Sequence, residues 1–161
     1  MKHEERESDE RHERLEMEVE ACKTKGSIKG YDFDDVTGKI IGAAIEVHKN
    51  LGPGFQEIVY QRALGMELQT TGLLFTREEK IPVYYKGKQI DTRRVDFVVE
   101  DYIVEIKARS ELQKEDFIQA LSYLKASDYP IGLLINFGRE KVETRRFVGP
   151  KFREKKSDNQ K

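Results

Sequence analysis

Two short apolar stretches separated by a polar pair constrain the fold of this chain more than any other feature. They are residues 95–99 and residues 102–106, and the Glu-Asp pair between them suits a tight hairpin turn. Alternate residues of a strand face the same side of a sheet, so Glu105 and Lys107 share a face. If the hairpin closes at the Glu-Asp pair, Asp96 lies on the neighbouring strand at about the level of Glu105.

Two carboxylates and an ammonium group would then project together from an otherwise apolar sheet. Burying ionisable groups is unfavourable unless something is bound to them. Two carboxylate oxygens suit a hard divalent cation such as Mg²⁺, and a neighbouring lysine suits a phosphate or an attacking water. A surface salt bridge on the polar face of the hairpin is the alternative. Two other Glu-x-Lys pairs, Glu78/Lys80 and Glu154/Lys156, have no carboxylate in a preceding apolar strand.

The remaining secondary structure follows from the spacing of apolar residues. Apolar residues recur at helical spacing from residue 34 to residue 51, which predicts a first helix. Pro53 and Gly54 lead a second predicted helix, which Gly72 closes. Apolar runs bounded by turn residues predict five strands and one further helix. The strands are at residues 75–85, 89–99, 102–108, 131–137 and 142–148, and the helix is at residues 112–126.

The carboxylate hairpin resembles the core motif of the PD-(D/E)XK phosphodiesterase superfamily, which is an Asp, a hairpin and then Asp/Glu-x-Lys. More narrowly, the chain looks like the small GxxExxY family, because Gly54, Glu57 and Tyr60 stand at the named positions of that motif. The other matching segments are residues 51–54 (LGPG), 119–123 (QALSY) and 132–138 (GLLINFG). The resemblance covers residues 34–148, although Val95 replaces the superfamily's proline before the aspartate. It implies an α/β (α+β) fold, with a restriction-endonuclease-like core and a mixed central sheet flanked by helices in the order ααβββαββ.

The resemblance also implies a metal-dependent nuclease that hydrolyses nucleic-acid phosphodiester bonds with Mg²⁺ or Mn²⁺. Asp96 and Glu105, with Glu57 and the main-chain carbonyl of Ile106, would hold the ion. Lys107 would position or deprotonate the attacking water and stabilise the charge of the transition state. One alternative is a non-cleaving module that binds nucleic acid or protein on a nuclease fold. Another is an interaction protein whose charged ends are its working parts.

Residues on the predicted helices carry further implied roles. Gln119 and Tyr123 are spaced i, i+4 and stack on one helix face. The resemblance implies that Gln119 supports the lysine as part of the catalytic set and that Tyr123 contacts the substrate. On the second helix, Gly54, Glu57 and Tyr60 would lie on one side, with Tyr60 supporting Glu57. Without the resemblance, Glu57 equally suits a helix N-terminus, Gln119 a helix surface, and both tyrosines the core.

Charge divides the chain into a central domain and two polar ends. Residues 1–23 hold five Lys/Arg and nine Asp/Glu, whereas residues 139–161 hold nine and four. We expect a charged, mobile N-terminal arm at residues 1–30, the nuclease-like domain at residues 31–149 and a basic tail at residues 150–161. The tail would track a phosphate backbone or serve only solubility.

Composition narrows the compartment and the partners. Cys22 is the only cysteine, which excludes an internal disulfide and suits a reducing cytoplasm. No apolar run approaches the length of a membrane span, so we expect a cytoplasmic protein with no membrane partner. The expected partner is nucleic acid, with DNA favoured over RNA and a homodimer or a protein partner left open. The sequence shows no aromatic and basic stripe of the kind that stacks single strands, and no helix-turn-helix or zinc finger.

Overall fold

The computed structural model of the protein describes residues 33–152. The N-terminal arm expected at residues 1–30 lies outside the described residues, as does the basic tail from residue 153 onward. Within the described part of the chain, no helix is long and apolar enough to cross a membrane.

The described residues form helices and strands in the predicted order ααβββαββ. The helices are α1 (Phe33–Leu51), α2 (Glu57–Leu68) and α3 (Lys114–Ala126), and the strands are β1 (Phe75–Tyr85), β2 (Lys88–Val99), β3 (Tyr102–Lys107), β4 (Ile131–Asn136) and β5 (Glu143–Val148). Most boundaries lie within two residues of those expected from the sequence. The mixed sheet with flanking helices confirms the predicted fold class.

The start of α2 differs from the prediction. Gly52 and Gly54 have φ angles of 65° and 116°, a region that glycine enters at little cost but that a right-handed helix excludes. The Leu-Gly-Pro-Gly segment is therefore a loop, and α2 begins only at Glu57. The expectation that Gly54 shares a helix face with Glu57 and Tyr60 is wrong for this reason.

The sheet has its five strands in sequence order, β1-β2-β3-β4-β5. β1 pairs with β2, β2 with β3 and β4 with β5 in antiparallel fashion, whereas β3 and β4 are parallel. A parallel pair needs a crossover connection, and α3 supplies it. Every residue of β3 and β4 is buried, so any polar side chain on these two strands lies in the interior of the domain.

Two apolar clusters cover the two faces of the sheet. On one face, α1 and α2 pack through residues that include Ile40, Val47, Leu64 and Leu68 against Phe97, Val104 and Ile106. On the other face, α3 packs through Leu121 and Leu124 against Val95, Ile103 and Leu134. Because strand residues alternate, Glu105 and Lys107 share the side of Ile103 and point toward α3.

The regular alternation of β2 is broken at Asp96. Val95 lies in the cluster under α3, whereas Phe97 lies in the cluster under α1 and α2, although residues two apart in a regular strand face the same side. Glu78 lies between the two β1 residues that pair with Phe97 and Val95, and it has a φ of 57°. The β2–β3 ladder ends at the pair Phe97–Val104. Asp96 thus lies where the sheet is distorted and its own strand leaves β3.

Candidate active site

The carboxylates of Asp96 and Glu105 meet where β2 and β3 separate. The backbone N–H of Asp96 donates to Glu105 Oε1 at 3.0 Å, and the backbone N–H of Ile106 donates to Asp96 Oδ2 at 2.8 Å. Each side chain therefore accepts a hydrogen bond from the main chain of the other strand. The structure places the two carboxylates together, at the level expected from the hairpin.

Glu105 holds its proton far more tightly than an exposed glutamate does. Glu105 is only 6% exposed, and burial is the largest of the causes that together raise its pKa from 4.5 to about 8. The negative charge of Asp96 raises the pKa further, while the hydrogen bond from the Asp96 backbone and the charge of Lys107 oppose the change. Near neutral pH the Glu105 carboxyl group therefore holds its proton, in a place that a cation can take.

Gln61 belongs to this centre and was not expected from the sequence. It lies on α2 one turn after Glu57, is 5% exposed, and donates from Nε2 to Asp96 Oδ1 at 2.9 Å. Its Oε1 is buried and finds no hydrogen-bond partner among the residues described. A buried acceptor without a partner costs about 1–3 kcal/mol. The i, i+4 spacing from Glu57 was the available signal, since it places Gln61 on the same helix face.

Lys107 is anchored by two side chains of α3. Its Nζ donates to Gln119 Oε1 at 3.0 Å and lies 3.8 Å from Asp116 Oδ1. Asp116 is also buried, and it accepts a hydrogen bond from the backbone N–H of Gln113 at 2.8 Å as part of a capping box. Gln119 was expected beside the lysine, whereas Asp116 was missed. The only sequence signal for Asp116 is its place in the first turn of a helix, which is typical of capping rather than of catalysis.

Asn136 fixes the main chain that follows Lys107. Its Oδ1 accepts from the backbone N–H groups of Arg109 at 2.9 Å and Gly138 at 3.1 Å, and its Nδ2 donates to Arg109 O at 2.9 Å. The backbone N–H of Phe137 donates to Lys107 O at 2.8 Å. A Cβ on Gly138 would overlap the main chain of Arg109. The end of β3 is thus held tightly to the end of β4, and Lys107 with it.

Tyr123 and Glu57 border the centre without hydrogen bonds to the carboxylate pair. Burial is the largest cause of the raised pKa of Tyr123, and the negative charge of Glu105 is the second largest. The phenol is therefore close enough to the pair to interact with it electrostatically. Glu57 is exposed at the start of α2. Its charge is the smallest of the causes that raise the pKa of Glu105. Glu57 is therefore close enough to act on the pair electrostatically but does not contact it.

Tyr60 is bound to the loop before α2. Its hydroxyl donates to Gly52 O at 2.6 Å and accepts from the backbone N–H of Phe55 at 3.2 Å. Its ring stacks on Phe137 with centroids 4.7 Å apart. Tyr60 therefore supports the start of the helix that carries Glu57 and Gln61, and its hydroxyl contacts the loop instead of Glu57.

The donor atoms at this centre fit a hard divalent cation. Among residues 33–152, no three His, Cys, Asp or Glu side chains come close enough together to hold a metal ion, because Glu57 stays apart. The side chains of Asp96 and Glu105 nevertheless offer carboxyl oxygens close to one another. The buried Oε1 of Gln61 adds an unpartnered oxygen beside Asp96. Oxygen donors of this kind are the ligands that Mg²⁺ and Mn²⁺ prefer.

Comparison with known proteins identifies the family. A family model described as the PD-(D/E)XK nuclease superfamily matches residues 34–147, a span that includes the whole centre described above. None of the curated proteins compared matches the chain. A crystal structure of SSO0001 is 16% identical, covers 84% of this chain and 75% of its own, and has a TM-score of 0.41, too low to carry an argument. The family match extends over well more than half of the sequence, and the chain therefore belongs to the PD-(D/E)XK nuclease superfamily.

Proposed function

We propose that the protein is a Mg²⁺- or Mn²⁺-dependent nuclease that hydrolyses phosphodiester bonds of nucleic acid. Membership of the superfamily supports a nuclease-like function. The observation that carries the proposal is the pair of adjacent carboxyl groups, in which Glu105 is buried, Asp96 is half-buried and the pKa of Glu105 is about 8. A fold gains nothing from keeping such a pair in its interior, so a bound cation is the reason that we infer for it.

The chain's own residues would prepare the cation site. Asp96 is oriented by Gln61 Nε2 and by the backbone N–H of Ile106, and Glu105 by the backbone N–H of Asp96. Asp96 and Glu105, with Glu57 and the main-chain carbonyl of Ile106, are the proposed ligands. When bound, the cation would polarise a phosphoryl oxygen and lower the pKa of an attacking water.

Lys107 would handle the water and the phosphate. Its ammonium group is held by Gln119 and Asp116 beside Glu105, so it needs no rearrangement to face charge that develops on the phosphate. Held there, the ammonium positions the attacking water, whereas accepting the water's proton would require the neutral amine of Lys107. Gln119 acts through the lysine, and Tyr123 is the proposed contact to the substrate at the rim of the centre.

The test is cleavage of labelled single- and double-stranded DNA and RNA in Mg²⁺, Mn²⁺ or EDTA. The comparison pair is Glu105→Gln, which keeps the size of the side chain, and Glu111→Gln, which removes an exposed carboxylate outside the centre. We expect metal-dependent cleavage by the wild type and Glu111→Gln and none by Glu105→Gln. Equal cleavage by all three proteins would refute the assignment.

A non-cleaving nucleic-acid-binding module is the second candidate, and the separation of Glu57 from the carboxylate pair favours it. A cation held by two carboxylates alone could stabilise the fold without supporting turnover. Thermal unfolding separates the two functions. A rise in melting temperature on adding Mg²⁺, lost in Glu105→Gln but accompanied by no cleavage of any of the four substrates, would establish the module in place of the enzyme.

A further inference from the structure

The β1–β2 hairpin extends beyond the body of the domain. Every residue from 84 to 94 is exposed, whereas the end of β2 that reaches the carboxylate centre is buried. A two-stranded ribbon exposed along its whole outer length is packed on neither face. Residues 84–94 form this outer part, and we call residues 80–94 the basic hairpin, although Ile81 at its base packs in the cluster under α3.

The basic hairpin is strongly cationic in a chain that is nearly neutral. It contains five Lys/Arg and one acid, against a net charge of −1 for the whole chain. The five cations are Lys80, Lys86, Lys88, Arg93 and Arg94. The acid, Asp91, pairs with Arg93 at 3.1 Å.

Pairing of the two strands distributes these cations over both faces of the ribbon. In the register of the two strands, Lys80 lies opposite Arg94 on one face of the ribbon, and Arg93 lies opposite Ile81 on the other face. Cations on both faces of a narrow ribbon suit a polyanion that runs along it.

Aromatic and apolar side chains lie exposed at the tip of the basic hairpin. Tyr84, Tyr85 and Ile90 are 60%, 59% and 64% exposed, and the ammonium of Lys86 lies 5.4 Å from the centre of the Tyr85 ring. Exposed rings among cations are the arrangement on which unpaired bases stack while their phosphates are neutralised. The expectation that no aromatic and basic stripe exists is therefore wrong. Tyr84, Tyr85, Lys86 and Lys88 lie within five consecutive residues, and pairing of β1 with β2 places Arg93 and Arg94 in the same ribbon.

The basic hairpin leads directly to the candidate active site. Arg93 is close enough to Tyr123 to act on its ionisation, and β2 continues from Arg93 through Asp96. Lys88 and Asp96 are eight residues apart, which at about 3.4 Å per residue of strand is ~27 Å. A strand bound along the whole of this ribbon would therefore reach about 27 Å from the candidate active site.

We propose that the basic hairpin binds the nucleic-acid strand that extends from the active site, with its cations on the phosphates and Tyr84 and Tyr85 stacked on unpaired bases. This inference rests on the proposed nuclease function, because it names the surface that holds the substrate of that same centre. It commits to nucleic acid as the occupant, since the net charge of the ribbon is complementary to a polyanion and its strands carry both cations and rings.

The charge is tested by binding of a fluorescently labelled single-stranded oligonucleotide to the full chain in EDTA, where no cleavage intervenes. The variant Lys80→Gln with Lys88→Gln is compared with Lys39→Gln with Lys49→Gln, which removes the same charge from exposed positions of α1. Lys86 is retained because its φ of 48° belongs to the turn. We expect only the hairpin variant to weaken binding and to lower the slope of log K against log salt by about 1.4, from two phosphate contacts at ~0.7 each.

The stacking is tested by Tyr84→Ala with Tyr85→Ala on single-stranded and duplex oligonucleotides of the same length. We expect about 5- to 150-fold weaker binding of the single strand for each lost stacking contact, and little change for the duplex. Hairpin variants that bind the single strand as the wild type does would overturn the proposal. A wild-type dimer that becomes a monomer in the hairpin variants, with binding unchanged, would show that the surface joins two copies of the chain instead.

Failure of this inference and failure of the nuclease function give different results. If hairpin variants lose binding while no cleavage is found, the binding role of the basic hairpin is supported and the nuclease function is refuted. If cleavage depends on Glu105 while hairpin variants bind and cleave normally, the nuclease function is supported and the binding role of the basic hairpin is refuted. Binding in EDTA also continues to report on the hairpin in Glu105→Gln, which has its cations and rings intact.

Discussion

Replacing Glu105 by glutamine should stabilise the metal-free protein while destroying the proposed metal site. The glutamine Oε1 still accepts the hydrogen bond that the Asp96 backbone donates at 3.0 Å, so the geometry of the strands is preserved. What the substitution removes is the carboxyl group whose pKa rises from 4.5 to about 8 in the folded protein.

The sign of the effect follows from the raised pKa. The folded protein holds the proton of Glu105 more tightly than the unfolded chain does, so this group contributes stability that is fully present below pH 4.5 and is lost as pH rises through 8. At about 1.4 kcal/mol per unit of pKa difference, the loss totals on the order of 5 kcal/mol. In EDTA, the free energy of unfolding of the wild type should therefore fall between pH 5 and pH 9 relative to that of Glu105→Gln.

Adding Mg²⁺ should narrow the difference in stability between the two proteins at high pH. A cation needs the ionised carboxylate, so the wild type should gain most stability from Mg²⁺ above pH 8, by about 2.7 kcal/mol at a concentration 100 times the dissociation constant. Glu105→Gln should gain none.

Urea unfolding followed by circular dichroism at pH 5 to 9, with and without Mg²⁺, measures both effects. Glu111→Gln is the control, since it removes an exposed carboxylate and leaves the buried pair intact. Parallel stability curves for wild type and Glu105→Gln in EDTA would refute the inference that Glu105 holds a proton near neutral pH.

Three further substitutions test the surrounding groups. Lys107→Ala should abolish cleavage while the rise in melting temperature caused by Mg²⁺ remains, and residual turnover near the wild-type rate would contradict its role. Gln61→Leu removes both the donor to Asp96 and the unpartnered oxygen, so stability should change by less than about 1 kcal/mol. The same substitution should weaken the Mg²⁺ response in a thermal-shift titration, and an intact response would show that Gln61 is only structural. Gly138→Ala should destabilise the protein by about 2 kcal/mol or more in urea unfolding, because its Cβ overlaps main-chain atoms. Gly42→Ala, which has open space in α1, should instead stabilise by about 0.5–1 kcal/mol, and equal effects of the two would count against the tight fit.

Local patterns were sufficient to predict the elements and the carboxylate pair. Strand and helix periods are properties of neighbouring residues, so the order ααβββαββ could be derived from apolar spacing. Asp96 and Glu105 could be paired because the turn between β2 and β3 is short and sets their register, Val99 opposite Tyr102. The start of α2 was predicted wrongly because proline and glycine suit a loop as well as a first helical turn.

Gln61, which was missed, and Asn136, which was given no role, make their contacts with distant segments of the chain. Gln61 contacts Asp96 across 35 positions of the chain, and Asn136 contacts Arg109 across 27. Nothing in the local pattern around Gln61 or Asn136 specifies such a partner. The exposure of the basic hairpin is likewise a consequence of where the helices end, which leaves its outer part without a packing partner.

The local sequence thus determines which charged groups come together at the candidate active site, whereas tertiary packing determines their proton affinity. The β2–β3 hairpin brings together Asp96 on one strand and Glu105 and Lys107 on the other. The register of a hairpin is defined by contiguous residues alone. The high proton affinity of Glu105 needs α3 over one face of the sheet, with Asp96 beside the glutamate and water excluded. Desolvation depends on atoms from every segment that surrounds a group, and for that physical reason it arises only when remote parts of the chain pack together.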